Sequence, residues 1–350
     1  MFFLLFYKMF FMIKLFFYTW SKKSFFFFLL IMSTLISITS SSWMGCWMGL
    51  EINLLSFIVL MSMPSNFINS KLTLKYFFIQ SIASLNFLFS ILTLFTCLKM
   101  LKFIPIFMNM TMLMKLGSAP MHFWFIKISK KLSWNNNFFL MTWQKISPMI
   151  FISYMMNFNL MIYTAILNML ISMKGSFNQT SLRKLMAFSS INNLGWLILT
   201  LLISENLWTL YFSFYFIFTL LICLIFQINK LFYLNQLFNL NNNFTFKLMI
   251  FLNFVSLSGL PPFSGFFPKW MTLNNLIFNN QLLLSFILIM SSLIMSFVYF
   301  KMIYSSFMMI SLKFKWIKSS FNMKMNYIMN FINIIMTFGI MLCSYVFFLY

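Results

Sequence analysis

Residues 103–129 read FIPIFMNMTMLMKLGSAPMHFWFIKIS. Uncharged residues fill the stretch from Phe103 to Met114 before Lys115, and from Leu116 to Ile126 after it. Such a run is long enough to cross a hydrocarbon core ~30 Å thick, which takes about 20 helical residues. An amine at its middle is too far from either interface to snorkel easily. Placing a lysine at the centre of a membrane helix costs roughly 2.5–3.5 kcal/mol, so it is read first as functional. Gly117-Ser118-Ala119-Pro120 follows at once. Pro120 lacks an N–H and clashes with the Leu116 carbonyl, so the helix is expected to break or bulge there. Irregular backbone at membrane depth is tolerated where it is buried in protein or lines a water path. His122 comes next, with the ordinary pKa nearest neutrality. It is a candidate relay, with a plain hydrogen-bonded core histidine as the alternative. For Lys115 the alternative is a structural cation paired with a carboxylate.

The rest of the chain has the same character. Hydrophobic residues make up 62% and charged residues 7%, with mean hydropathy +0.92. A soluble domain carries about a quarter charged residues, so a soluble globule is excluded. The apolar runs are long and continuous rather than alternating over ten residues, so helices are expected and not a barrel. The runs predict an all-α polytopic membrane protein with eleven spans. Their limits are 25–42, 43–62, 74–98, 103–129, 134–157, 159–174, 181–203, 206–230, 246–277, 281–310 and 327–349. Residues 1–24 carry Lys8, Lys14, Lys22 and Lys23 and read as an N-terminal interfacial extension, unless translation starts later, for example at Met32. Residues 25–350 read as a single transmembrane domain.

The net charge of +22 excludes little by itself, but its placement does. The cations fall in short gaps between apolar runs rather than on one soluble face, which is topology information and argues against a nucleic-acid partner. With loops numbered alternately, the N-terminal side collects Lys22, Lys23, Lys71, Lys75, Lys127, Lys130, Lys131, Lys174, Arg183, Lys184, Lys230, Lys247, Lys313, Lys315, Lys318 and Lys324. The opposite side holds Lys99 and Lys102. By the positive-inside rule the N-terminus faces the compartment of synthesis and the C-terminus the other side. Cys46, Cys97, Cys223 and Cys343 form no CxxC pair, and His122 alone cannot build a metal site, so no metal is expected.

Three further ionisable groups lie inside spans. Lys145 sits in MTWQKISPMI, where Pro148 frees the Gln144 carbonyl and leaves polar backbone beside the amine. An amine held in oil is poised between its charged and neutral forms, which suits it to gain and lose protons. A lysine merely bound to exposed carbonyls is the alternative. Lys269 lies in LSGLPPFSGFFPKWM, a second Gly/Pro interruption; its alternative is a place nearer an interface. Paired broken helices, here in the fourth and ninth spans, point to inverted repeats and a transport path. Glu51 lies mid-span in WMGLEINLLSF and needs a cation, with Lys115 the natural partner. Glu205 falls between spans and reads as solvated. Trp43, Trp47 and Trp208 fall near span ends, as interfacial belt residues do.

These same stretches resemble the NADH dehydrogenase subunit 2 family, the antiporter-like subunits of respiratory complex I. The resemblance is carried by SWMGCWMGLEINLLSF (42–57), LKYFFIQSIAS (74–84), MKLGSAPMHFWF (114–125), MTWQKISPM (141–149), NQTSLRKLMAFSSIN with LGW (178–196) and NFVSLSGLPPFSGFFPKW (253–270). They stand in family order and look most like insect mitochondrial versions, in keeping with a residue bias that suggests an AT-rich coding strand. The resemblance implies an antiporter-like fold of eleven helices with two discontinuous ones. It implies a subunit that moves protons across the inner mitochondrial membrane, coupled to NADH oxidation and ubiquinone reduction elsewhere in the complex. Glu51 and Lys115 would form a coupled ion pair, Lys145 the central proton carrier, and Lys269 the step toward the far side. NAD, FMN, Fe–S clusters and ubiquinone would belong to other subunits, with no cofactor on this chain. Partners would be neighbouring antiporter-like and small hydrophobic subunits of the membrane arm, accessory subunits, and lipids such as cardiolipin. The N-terminus would face the matrix and the C-terminus the intermembrane space. Asn193 stands where relatives commonly carry His, so a relay there would need water or another group. The rival readings are a stand-alone cation/proton antiporter and a structural membrane scaffold.

Overall fold

A computed structural model describes residues 24–62, 67–96, 103–238, 244–261 and 263–308. The extension before Ser24, the span at 327–349, Cys97 and Cys343 lie outside the described residues, as do Lys22, Lys23, Lys99, Lys102, Lys313, Lys315, Lys318 and Lys324. Within them the regular structure is helical, apart from an isolated bridge between Ser181 and Tyr233. The chain divides into two compact units, residues 1–168 and 169–350.

The first unit begins with α1 (Ser24–Thr39), α2 (Trp43–Ser62) and α3 (Phe67–Thr96). The span at 43–62 is matched to the residue, while α3 starts earlier than its hydropathy suggests. Helix α1 and α2 approach closely because α2 presents Gly49 there: a Cβ on Gly49 would lie 2.6–2.8 Å from the Ser37 side chain and backbone. Small residues are how membrane helices come together when lipid is as apolar as the partner. Ser33, Thr34 and Ser37 turn their hydroxyls back onto Leu30, Ile31 and Thr34 carbonyls, so these polar atoms are satisfied without water. The outward face of α3 is apolar, with Leu74, Phe78, Leu85, Phe89 and Phe95 exposed, as a lipid-facing surface requires.

The unit continues with α4 (Ile104–Leu116), α5 (Phe123–Ser129), α6 (Trp134–Met141) and α7 (Trp143–Tyr154). The fourth expected span is thus two helices, separated where Gly117 and Pro120 stand. The fifth is also two helices, an interruption the prolines did not announce. It falls at Thr142 (φ −117°, ψ −67°), whose hydroxyl and N–H both go to the Phe138 carbonyl, and Pro148 lies inside α7. Helix α8 (Phe158–Ser176) runs across the division between the units.

The second unit holds α9 (Leu182–Ile203), α10 (Glu205–Ile228), α11 (Leu234–Phe238), α12 (Phe244–Ser258), α13 (Phe266–Phe278) and α14 (Leu282–Met308). Ser204 caps α10 through the Leu207 N–H. Glu205 is therefore the first residue of a helix rather than a loop residue, exposed in the first turn where a negative charge suits the helix dipole. Trp208 is buried and stacks on Phe212, so it packs inside the chain instead of facing outward. The ninth expected span is two helices, α12 and α13.

Among the described residues, five helices are long and apolar enough to cross a membrane: Trp43–Ser62, Asn69–Thr96, Leu182–Ile203, Glu205–Ile228 and Leu282–Tyr304. Ser24–Thr39, Ile104–Leu116 and Lys247–Ser258 are shorter apolar helices. Gly49→Val is expected to separate α1 from α2 and to lower the membrane-inserted chain several-fold. An immunoblot of membranes checks this, and an unchanged level would show that the close contact carries no weight.

Candidate functional site

Most lysines in the described residues are exposed or half-buried, including Lys71, Lys75, Lys127, Lys130, Lys131, Lys174, Lys184, Lys230 and Lys301. Lys115, Lys145 and Lys269 are instead buried, with Lys145 only 1% exposed. They are the three lysines that the sequence places at mid-span, and each lies next to a helix interruption.

Lys115 occupies the last turn of α4. A helix that ends in an apolar interior leaves carbonyls without partners, and here those of Leu113, Met114 and Lys115 receive them. Gly117 takes a left-handed conformation (φ 69°), the usual device for closing a helix. The N–H of Ser118 and its hydroxyl both go to the Leu113 carbonyl. The indole N–H of Trp124 goes to the Met114 carbonyl at 3.2 Å. The Gln80 amide, from α3, goes to the carbonyl of Lys115 itself at 3.2 Å. Beyond the turn, the Ala119 N–H is taken by Asn168 at 2.6 Å. A cation is well placed at this negative end of the helix.

Glu51 lies on α2, half-buried. Its charge acts on the Lys115 amine through space, without a direct hydrogen bond or ion pair between them among the described residues. Two residues on, Asn53 accepts a 2.9 Å hydrogen bond from Gln144, the neighbour of Lys145. Lys145 stands at the third position of α7, just past the Thr142 interruption, with its amine 5.7 Å from the Phe125 ring centre. Glu51, Lys115 and Lys145 therefore share one compact unit, laced by amide side chains. His122 precedes α5 and is buried. Its Nδ1 lies 3.1 Å from the Pro120 carbonyl and its ring lies against Phe123. These are local contacts within the α4–α5 break.

Lys269 belongs to the second unit. Helix α12 ends at Ser258 and Gly259 follows with φ 73°. Lys269, from α13, donates to the Ser258 carbonyl at 2.7 Å and the Leu257 carbonyl at 3.3 Å. The amine thus closes the helix end that the break exposes. It also lies 5.5 Å from the Trp196 ring centre. Gly259 is required twice: its backbone is left-handed, and a Cβ would sit 2.7 Å from Lys269 Cδ. At Gly265 a Cβ would overlap the Ser256 carbonyl oxygen.

Sequence reading did not find Tyr211, whose hydroxyl donates to Asn193 Oδ1 at 3.1 Å. Tyr211 and Tyr215 lie four apart on α10, two hydroxyls on one face of an apolar run, and that spacing was a usable signal. Asn168, an amide in the middle of an apolar helix, was another.

The fold and the site define a polytopic membrane protein that buries three amines beside broken helices. The family described as NADH:quinone oxidoreductase/Mrp antiporter, transmembrane, matches residues 40–296, and the chain belongs to it. Among its relatives, NADH-ubiquinone oxidoreductase chain 2 of Anopheles gambiae is 45% identical over 322 residues, covering 90% of this chain and 94% of the relative. That of Locusta migratoria is 38% identical, covering 89% and 93%. In fold the chain is similar to a chain of respiratory complex I from Thermus thermophilus with bound aureothin (TM-score 0.78, 15% identity, 88% of this chain and 75% of that one). It is also similar to a chain of the membrane-bound sulfane sulfur reductase, an archaeal respiratory membrane complex (TM-score 0.75, 14% identity, 91% and 73%).

Asn168→Leu is expected to orphan the buried Ala119 N–H and to cost about 1–3 kcal/mol. A lower temperature for loss of this chain from a detergent-solubilised assembly would register it. No change would mean that the break is held by other contacts.

Proposed function

We propose that this chain is a membrane-arm subunit of respiratory complex I that translocates protons across the inner mitochondrial membrane, driven by NADH oxidation and ubiquinone reduction elsewhere in the complex. The observation that carries this reading is the burial of Lys115, Lys145 and Lys269 at helix interruptions, in a chain that aligns with almost the whole length of NADH-ubiquinone oxidoreductase chain 2 from insects. A buried amine costs several kcal/mol unless it is partnered, and three of them at mid-span serve no purpose in a plain anchor.

In this reading the chain crosses the membrane eleven times, with its N-terminus in the matrix and its C-terminus in the intermembrane space. The broken α4–α5 and α12–α13 pairs are the discontinuous helices of two inverted repeats. Glu51 and Lys115 form the electrostatic couple next to the neighbouring subunit. Their spacing allows the charge on one to respond to the other without a fixed bridge, and unscreened charges interact strongly at low dielectric. Lys145 is the central carrier. Lys269, held on two carbonyls, passes protons toward the far side. His122 is spent on local contacts and is the weakest of the assigned residues. The redox cofactors belong to other subunits, and this chain's partners are the adjacent membrane-arm subunits, accessory subunits and lipids such as cardiolipin.

A stand-alone cation/proton antiporter shares this fold, and a structural scaffold shares the membrane helices. Lys145→Ala separates the scaffold from the pump. The variant is expected to assemble and to oxidise NADH with a soluble artificial acceptor, while protons moved per NADH in reconstituted vesicles fall several-fold. Undiminished pumping would end the proton-carrier assignment. Copurification of the chain with the other complex I subunits is expected as well, and recovery of the chain alone would favour the antiporter.

A further inference from the structure

A protonated lysine has three N–H donors. Lys269 spends two on the Leu257 and Ser258 carbonyls. For the third, the described residues offer only the face of Trp196, its ring centre 5.5 Å off. Buried donors without an acceptor are rare and costly. Beside the amine lies a cavity of about 20 Å³, lined by Lys269, Asn193, Tyr211, Tyr215 and Ser256 among others. All of them are within the second unit. A polar space of ~10–15 Å³ on this measure is enough for one water, which needs two to four polar partners.

The lining supplies those partners. Tyr211 is 4% exposed, and its proton is committed to Asn193, so its oxygen faces its surroundings as an acceptor. Tyr215 pairs with Ser190 and closes the same wall. The geometry points to one resident water that accepts from Lys269 and donates to the Tyr211 oxygen, with Tyr211 as a positioning residue for proton exchange at Lys269. Asn193 cannot titrate; it holds the Tyr211 hydroxyl in place, and the phenol and water supply the polar connection. Phe214 and Phe218 fill the apolar part of the same lining, so the polar contacts for a water come from Lys269 and the Tyr211 oxygen. This inference rests on the proton-translocating reading and names a residue that reading did not use.

The test uses the assembled complex. A density map of the unsubstituted complex is expected to show one water within hydrogen-bond distance of Lys269 Nζ and the Tyr211 oxygen, and a dry cavity overturns the inference. Tyr211→Phe is expected to lose that water and to lower protons moved per NADH several-fold in vesicles. Adding Asn193→His to Tyr211→Phe is expected to restore pumping, since an imidazole both donates and accepts; a purely structural role for Tyr211 would not be rescued in this way. Full pumping by Tyr211→Phe, or no rescue by the second substitution, overturns the positioning role. Lys269→Ala serves as the reference. If it abolishes pumping while Tyr211→Phe does not, only this inference fails. If Lys269→Ala also pumps fully, the role given to Lys269 in the functional reading fails with it.

Discussion

In an apolar interior every backbone N–H and C=O must find a partner within the protein, and this rule organises the whole chain. Unbroken helices obey it at no further cost. Where a helix stops at depth, the last carbonyls are orphaned, and the structure shows two ways of meeting the debt. At the α4–α5 break, side chains from elsewhere in the unit do so: Trp124, Gln80 and Ser118 on the carbonyls, and Asn168 on the Ala119 N–H. At the α12–α13 break, the amine of Lys269 does so itself.

These solutions place charge at the broken helix ends. A helix end carries roughly half a negative charge, so an ammonium held there offsets two penalties at once, its own burial and that of the carbonyls. The break and the lysine are therefore one device rather than two features that happen to be neighbours. Lys145 is a variant of it, placed just past the interruption at Thr142 rather than on a helix C-terminus. The amide pair of Asn53 and Gln144 links its helix to the one that carries Glu51, so these charged groups are fixed relative to one another by neutral hydrogen bonds.

Legibility was uneven along the chain. The α4–α5 and α12–α13 breaks could be read because Gly and Pro act on the backbone locally, through φ and a missing donor. The Thr142 break could not: threonine is common inside membrane helices, and only the packing around it decides whether its hydroxyl competes with the ladder. Glu51 and Lys115 were paired on the reasoning that a buried carboxylate needs a cation, and they lie close enough to interact without a direct bridge. The Tyr211–Asn193 contact joins two helices, and nothing in either local segment specifies the other.

By itself the sequence determined the membrane class, the helical architecture, the breaks at Gly117 and Gly259 and the identity of the three buried amines. All of these follow from the free energy of single residues in oil and from local backbone rules. The tertiary structure alone decided which carbonyls hold Lys269, which side chains close the α4 end, and that a water-sized cavity with a phenol wall lies beside the amine. Those are matters of which helix faces which, and that is set by packing across many residues far apart in the chain.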